Sequence, residues 1–260
     1  MNENSNQQTC STSLVPTENY LFMGNPGTGK STLINCLVGS AIFNAGLSYG
    51  GGLTQKFQAR TFENIQYMDT PGLADRHIQE VAAVAITEAL QQSGTYKLFF
   101  MVRLENGRVV SDDLATIEIV LSSIDIEEIP FAVIINNVKK RQYTKMMEKG
   151  ADYLKVVTLI NSITRTTHHI TFIPVIDDLD EEDNAVTELP GEVKNFIQFK
   201  CPTVDISPNV VKPIKIEDFK KMSENLRGAQ EQLLNDNALL EHRIAELTGT
   251  SNSFWHQPIE

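Results

Sequence analysis

The chain has 260 residues, of which 41% are hydrophobic and 21% charged, an ordinary composition for one good-sized globular domain with an appendage. The net charge of -11 argues against nonspecific binding to nucleic acid or to an anionic membrane, because both favour a basic surface. No apolar run approaches the roughly 18 residues that span a bilayer. Three cysteines without metal-like spacing, and the lack of an apolar N-terminal segment, predict a reducing, cytoplasmic environment.

The first predicted element follows a polar tail. Residues 1–18 are rich in Asn, Gln, Ser and Thr, which predicts disorder. Residues 19–23 form a short apolar run typical of a buried strand, and residues 31–38 have the apolar spacing of a helix. Between them, residues 24–31 match the P-loop pattern G-x-x-x-x-G-K-[ST] at every defined position.

The residue types of this loop suit it to phosphate. Glycines let successive backbone N–H groups point at phosphate oxygens, and the helix that follows adds the positive end of its dipole. We expect Lys30 to reach the β- and γ-phosphates and Ser31 to ligate Mg²⁺. The predicted nucleotide-binding residues of the loop are Gly24, Asn25, Pro26, Gly27, Thr28, Gly29, Lys30, Ser31 and Thr32.

Strands and helices alternate after this loop. The predicted elements are a flexible Gly-rich loop at 46–52, a strand pair at 57–62 and 65–68, a helix at 78–90, a strand at 97–102, a helix at 114–124 opened by Ser111 with Asp112 and Asp113 in its first turn, a strand at 131–135, a helix at 143–163, a strand at 170–176 and a closing helix at 192–199. This alternation predicts an α/β domain over residues 19–200, with a mostly parallel, doubly wound sheet and its ligand at the carboxyl ends of the strands.

The composition changes after residue 200. Three prolines predict an extended linker at 201–215, and a C-terminal helical extension is predicted at 216–248, followed by a tail at 249–260. Leucines recur every seven residues in the helix, at Leu226, Leu233, Leu240 and Leu247. This spacing suits a coiled coil, whereas the polar residues at the complementary positions equally suit a helix that packs against its own domain.

A second motif, Asp69-Thr70-Pro71-Gly72, directly follows a predicted strand. A carboxylate at this place can hold Mg²⁺ through water, and the Gly72 N–H can meet a γ-phosphate that is present before hydrolysis and absent after it. Together with the P-loop, this order of motifs resembles the translation-factor-like GTPases. More narrowly, residues 24–31, 52–54 and 69–75 are similar to the avirulence-induced-gene-type, immune-associated nucleotide-binding GTPases.

The resemblance implies a P-loop G domain that binds GTP or GDP with Mg²⁺. It implies that Thr54 is the switch threonine that closes on Mg²⁺ and γ-phosphate. The expected metal residues are then Ser31, Thr54 and Asp69, and the expected catalytic residues are Lys30, Thr54 and Gly72. The resemblance also implies dimerisation across the nucleotide face, and the predicted C-terminal helix is a second candidate for a homodimer contact.

The base-recognition motif departs from this family. Where Asn-Lys-x-Asp is usual, the chain has Asn136-Asn137-Val138-Lys139. Asn136 and Asn137 are still expected at the nucleotide, but the Lys139 ammonium has donors only and cannot accept hydrogen bonds from guanine. Guanine is then held weakly, or another carboxylate such as Asp177 or Asp178 reads it, or base preference is relaxed and ATP is not excluded. We favour guanine because the phosphate half matches GTPases.

A second departure concerns hydrolysis. Leu73 occupies the position where Ras-like proteins carry a water-orienting Gln, which predicts slow turnover. Hydrolysis would then depend on another residue, a dimer partner or an activating protein, and the candidate arginine fingers are Arg60, Arg76, Arg103 and Arg108. Two functions are consistent with these residues: a slow Mg²⁺-dependent GTPase switch, and a nucleotide-binding scaffold with negligible hydrolysis that controls self-assembly.

Overall fold

The computed structural model describes residues 18–46, 53–54, 56–75, 77–179, 181–217 and 219–247. The strands are β1 Glu18–Gly24, β2 Gln58–Phe62, β3 Ile65–Asp69, β4 Gly94–Val102, β5 Leu104–Glu105, β6 Arg108–Val109, β7 Ala132–Val138, β8 Ile170–Pro174 and β9 Val204–Ile206. The helices are α1 Lys30–Val38, α2 Gln79–Leu90, α3 Ser111–Ser122, α4 Lys140–Met147, α5 Ala151–Ile160, α6 Gly191–Asn195 and α7 Phe219–Leu247. Within these ranges, no helix combines the length and the apolar character that crossing a bilayer requires.

The main sheet has the predicted α/β arrangement. Its strand order is β2-β3-β1-β4-β7-β8, with β2 antiparallel to β3 and the strands from β3 to β8 parallel. The β2–β3 hairpin turns at Glu63 and Asn64, which both have positive φ, as a tight two-residue turn requires. Because the parallel strands point the same way, their carboxyl ends form one edge, where a ligand site is expected.

The continuous apolar run of β4 explains why the sheet has a core on each face. Leu98, Phe100 and Val102 pack into one hydrophobic core, while Phe99 and Met101 pack into the other. Successive side chains of a strand point to opposite faces, so a strand buried on both sides is apolar at every position. This feature places β4 at the centre of a sheet covered by helices on both faces.

Two predicted helices differ from those observed. The predicted helix at 143–163 is two helices, α4 and α5, because Lys149 adopts a left-handed φ of 51° between them and interrupts the helical hydrogen bonds. The helix predicted to be opened by Ser111 has Val110 as its N-cap instead. The Ser111 hydroxyl faces the Ser223 hydroxyl of α7 at 3.3 Å, so it serves contacts between helices.

The chain after residue 200 packs against the sheet. Within the segment predicted as a linker, β9 pairs antiparallel with the first residues of β4, and Val211 forms a bridge with Ile124. The division of the chain into domains stays a prediction, as do the tails, which lie outside the described residues except for Glu18, the first residue of β1.

The C-terminal helix α7 differs along its length. Phe219, Leu226 and Leu233 pack on the core beside α3, whereas Leu240 and Leu247 are 55% and 87% exposed. The first half of the helix therefore packs against its own domain, and a coiled coil through the second half stays a prediction.

Candidate functional site

The P-loop lies between β1 and α1, at the carboxyl edge of the sheet. Gly29 is the N-cap of α1 and has a φ of 86°, in the left-handed region that favours glycine. A Cβ at this position would lie 2.4 Å from the amide nitrogen of Asn136, which donates to the Thr28 carbonyl at 3.0 Å. Asn136 therefore links β7 to the P-loop, as the sequence predicts. Its contact with a nucleotide stays a prediction.

The Lys30 side chain is folded into the loop. It is 7% exposed, and its Nζ donates to the Gly24 carbonyl at 2.9 Å and to the Asn25 carbonyl at 3.3 Å. Burial lowers the pKa of Lys30, and the nearby carboxylates of Asp69 and Asp113 oppose that shift. The ammonium group thus lies inside the concavity that the sequence assigns to phosphate.

Three hydroxyl and carboxylate groups from distant segments meet beside this lysine. The Ser31 hydroxyl donates to Asp69 Oδ2 at 2.6 Å, and the Thr54 hydroxyl donates to the same oxygen at 3.0 Å. The two hydroxyl oxygens are 3.4 Å apart. These are the three residues expected to hold Mg²⁺, and they form the all-oxygen donor set that this hard cation prefers.

The free oxygen of Asp69 fits a cation at this place. Asp69 Oδ1 is buried and has no hydrogen-bond partner among the described residues. Burial raises the pKa of Asp69, while Lys30 and the hydroxyls of Ser31 and Thr54 lower it. Leaving a buried acceptor unsatisfied costs about 1–3 kcal/mol, which a bound cation or its water would offset. Among the described residues, no group of three or more His, Cys, Asp or Glu side chains is arranged to hold a metal ion by itself.

The segment after Asp69 lies directly on the P-loop. A Cβ at Gly72 would be 2.7 Å from Asn25 Cα and 2.7 Å from Pro26 N, so no larger residue fits without movement. Leu73, the next residue, is fully buried in the core. The backbone at Gly72 therefore borders the phosphate loop, whereas the side chain of Leu73 points into apolar packing.

A polar network that the sequence analysis missed connects these segments. The Asn25 amide donates to Asp113 Oδ1 at 2.8 Å, and its oxygen accepts from the Thr116 hydroxyl and the Ala74 N–H, each at 3.0 Å. Arg103 binds the same carboxylate, with its backbone N at 2.8 Å and a guanidinium nitrogen at 2.9 Å. The network links the P-loop, the start of α3 and the segment after Gly72.

This network corrects two expectations. Asp113 lies in the first turn of α3, as expected, but its carboxylate serves Asn25 and Arg103 and not the helix end. Arg103 is paired within its own domain and is not free to act as an arginine finger.

Of the other candidate arginine fingers, Arg60 is exposed on β2, Arg108 lies on the β5–β6 hairpin, and Arg76 is outside the described residues. The predicted loop at 46–52 also lies almost entirely outside them.

A cavity of about 930 Å³ extends from the P-loop past Asn136 and Asn137. It is as large as a typical small-molecule site. Lys139, Asp177 and Asp178, which the sequence analysis considered for base recognition, do not line it. Three other acidic residues do: Glu181, Glu182 and Asp183.

The loop that carries these carboxylates is anchored to the segment before Thr54. The Ala45 N–H donates to the Asn184 side-chain oxygen at 2.8 Å, and the Asn184 N–H donates to the Ala45 carbonyl at 2.8 Å. Asn184 has a φ of 62°, which asparagine tolerates better than most residues. The sequence offers one weak signal for this arrangement, an acidic run after the last strand, and it does not reveal which carboxylate faces the cavity.

Comparison with known protein families gives one match. Residues 19–137 match the family described as 50S ribosome-binding GTPase. Comparison with curated proteins found no match. The strand order, the P-loop and the Asp69 segment give the chain the fold of a P-loop G domain, and the family match, which covers less than half of the chain, is consistent with that fold. The narrower resemblance to immune-associated GTPases stays a prediction.

Solved structures give more distant likenesses. NFeoB from S. thermophilus bound to GDP.AlF4⁻ and K⁺ is 18% identical with a TM-score of 0.37, and the match covers 58% of this chain and 55% of that one. A single-residue variant of Aquifex aeolicus Era bound to GDP.AlF4⁻ is 21% identical with a TM-score of 0.41, covering 76% and 62%. Toc33 from Arabidopsis thaliana with Mg²⁺ and GMPPNP is 16% identical with a TM-score of 0.45, covering 74% and 89%. The chain thus spans less than two thirds of NFeoB and Era, and at these TM-scores the likenesses carry no further argument.

Proposed function

We propose that this chain is a guanine-nucleotide switch that binds Mg²⁺-GTP and hydrolyses it slowly to GDP. The observation that carries the proposal is the convergence of Ser31, Thr54 and Asp69 beside the buried Lys30. Thr54 comes from the segment between α1 and β2, where a switch loop is expected, and yet its hydroxyl reaches the carboxylate of Asp69 at the end of β3. The match of residues 19–137 to a GTPase family supports guanine nucleotides over other phosphate ligands.

Each residue has a role in this proposal. Lys30 and the loop N–H groups bind the β- and γ-phosphates, and Ser31, Thr54 and Asp69 hold Mg²⁺, which would neutralise developing phosphate charge. The Gly72 backbone and Thr54 respond to the γ-phosphate. Because Ala74 is hydrogen-bonded to Asn25 of the P-loop, a shift of the Gly72 segment would be transmitted to Asp113 and to α3.

Slow hydrolysis follows from Leu73. A fully buried leucine can neither orient water nor reach the phosphate side of the cavity. A nucleotide-binding scaffold with negligible hydrolysis is therefore the second candidate function, and Leu73 and Lys139 favour it. In that case nucleotide binding would control self-assembly, through the nucleotide face or through the exposed end of α7.

Guanine recognition is proposed to use the acidic loop after β8. Lys139 is exposed and lies outside the cavity, so it neither accepts from guanine nor blocks it. A carboxylate among Glu181, Glu182 and Asp183 can accept the two N–H groups of the guanine edge, which adenine lacks. If none of them contacts the base, preference is relaxed and ATP competes.

Single-turnover phosphate release tests the proposal. Purified protein in excess over GTP should release phosphate slowly and in proportion to bound GTP, with Mg²⁺ required and with the Lys30→Ala variant inactive. Binding of GTP without phosphate release above that variant would favour the scaffold. Equal displacement of labelled GTP by ATP at the same concentration would contradict guanine preference, and absence of nucleotide binding would contradict both functions.

A further inference from the structure

A second cavity lies between the β5–β6 hairpin, α5 and α7. It has a volume of about 570 Å³, within the range of small-molecule sites. Its residues are distinct from those of the P-loop cavity. The apolar side chains that line it include Val109, Leu159 and Leu234, and Val109 and Leu159 are buried.

Gln230 of α7 is the buried polar residue of this cavity. It is 7% exposed, and its Nε2 has no hydrogen-bond partner among the described residues. An amide that is removed from water and left unpaired is costly, and such groups call for an explanation. Rotation of the amide exchanges its donor and acceptor ends, so Gln230 can offer either to a molecule in the cavity.

Two guanidinium groups border the same cavity. Neither Arg108 nor Arg227 forms an ion pair with a described residue, although the chain as a whole is acidic. Two carboxylates also line the cavity, Glu105, which lies 3.9 Å from Arg103, and Glu231. The lining therefore holds two arginines and two glutamates, and of these four only Glu105 has an ion pair among the described residues.

We propose that this cavity binds a small amphipathic carboxylate. Its apolar body would pack against Leu159 and Leu234, and its carboxylate would bind Arg108 and Arg227, with Gln230 as a further polar partner. Guanidinium groups are suited to this because they present paired N–H donors in the geometry of a carboxylate. The inference is independent of the proposed nucleotide function, since the two cavities share no residue.

Fluorescence titration with the amphipathic anion anilinonaphthalene sulfonate tests the site, with decanoate as competitor and decanol as its uncharged match. The full chain should bind the probe saturably, and decanoate should displace it while decanol does so at least about tenfold less well, because a charge-assisted hydrogen bond is lost. Arg108→Ala and Arg227→Ala should each weaken binding about tenfold for the same reason. Arg243→Ala, which removes an exposed arginine of α7 outside the cavity, is the matched control and should bind normally.

Gln230→Leu separates a ligand site from a structural position. It removes the unpaired amide without leaving a large void, so it should raise the urea midpoint and weaken decanoate binding together. Leu247→Gln reduces the exposed apolar end of α7 and should leave the titration unchanged. Probe binding that persists in both arginine variants, or that is lost in Leu247→Gln, would overturn the proposal, as would no saturable binding below about 1 mM.

Discussion

The two halves of the nucleotide cavity differ in how their side chains are held. On the phosphate side, Lys30, Ser31 and Asp69 are buried or partly buried and are hydrogen-bonded across three segments of the chain. On the base side, Asn137 and the carboxylates of residues 181–183 are exposed. In the proposed function, the fold would preorganise phosphate binding, whereas base recognition would depend on exposed loops whose side chains adopt their contacts when a ligand binds.

Replacing Lys30 on the phosphate side and, separately, Lys139, which follows Asn137 in the chain but lies outside the cavity, gives the largest expected difference. Lys30→Ala should weaken GDP binding at least about tenfold, because the charge-assisted contact to the β-phosphate is lost. Lys139→Ala should change it less than about twofold, because exposed charges contribute little. Fluorescent GDP titrations measure both. Equal losses in the two variants would contradict the division of the cavity into a preorganised and an adaptable half.

The polar network behind the phosphate side should contribute to stability. Asp113→Ala removes a fully buried carboxylate that binds Arg103 and Asn25, and it should lower the free energy of unfolding by about 3 kcal/mol, since breaking a buried pair leaves its partners unsatisfied. Asp125→Ala breaks an exposed pair with Lys212 and should cost less than about 1 kcal/mol. Urea unfolding compares the two. Similar losses of unfolding free energy in the two variants would contradict a stabilising role for the buried network.

The base half can be tested by changing carboxylates to amides. We expect one of Glu181→Gln, Glu182→Gln and Asp183→Asn to shift preference from GTP toward XTP by about tenfold, because xanthine has an acceptor where guanine has its amino group and an amide can donate to it. Competition titrations measure the ratio. Asp177→Asn and Asp178→Asn are matched controls from outside the cavity. Unchanged ratios in all three cavity variants would contradict base reading by this loop.

Local motifs made much of the phosphate side predictable. The P-loop and the Asp69 segment each consist of neighbouring residues whose types define a backbone shape, so the sequence predicts that Lys30, Ser31 and Asp69 lie together. The structure brings them together, and their roles at a nucleotide stay predictions. The parallel sheet followed from the continuous apolar run of β4. In contrast, the Asn25–Asp113 pair joins residues 88 positions apart, and one sequence contains no information on which distant polar groups meet.

The remaining differences arise where tertiary contacts override local pattern. The segment around β9 contains three prolines, which predict an extended linker, and it becomes a strand because β4 offers unpaired backbone groups beside it. The break between α4 and α5 depends on the left-handed conformation of Lys149, which lysine rarely adopts and no helical spacing indicates. The acidic loop at 181–183 reaches the cavity through the Asn184–Ala45 hydrogen bonds, which also have no local signal.

The smallest expected effect is on hydrolysis at residue 73. Leu73→Gln introduces the residue type that orients water in Ras-like proteins, but the side chain at this position is fully buried in the core. We therefore expect single-turnover hydrolysis to change less than about threefold, while unfolding free energy falls by about 1–3 kcal/mol because an amide is buried without a partner. Leu73→Met keeps the volume and should cost less than about 1.5 kcal/mol. A tenfold faster turnover in the Gln variant alone would show that residue 73 turns toward the phosphate when GTP binds, and the preorganised description of that half would then be wrong.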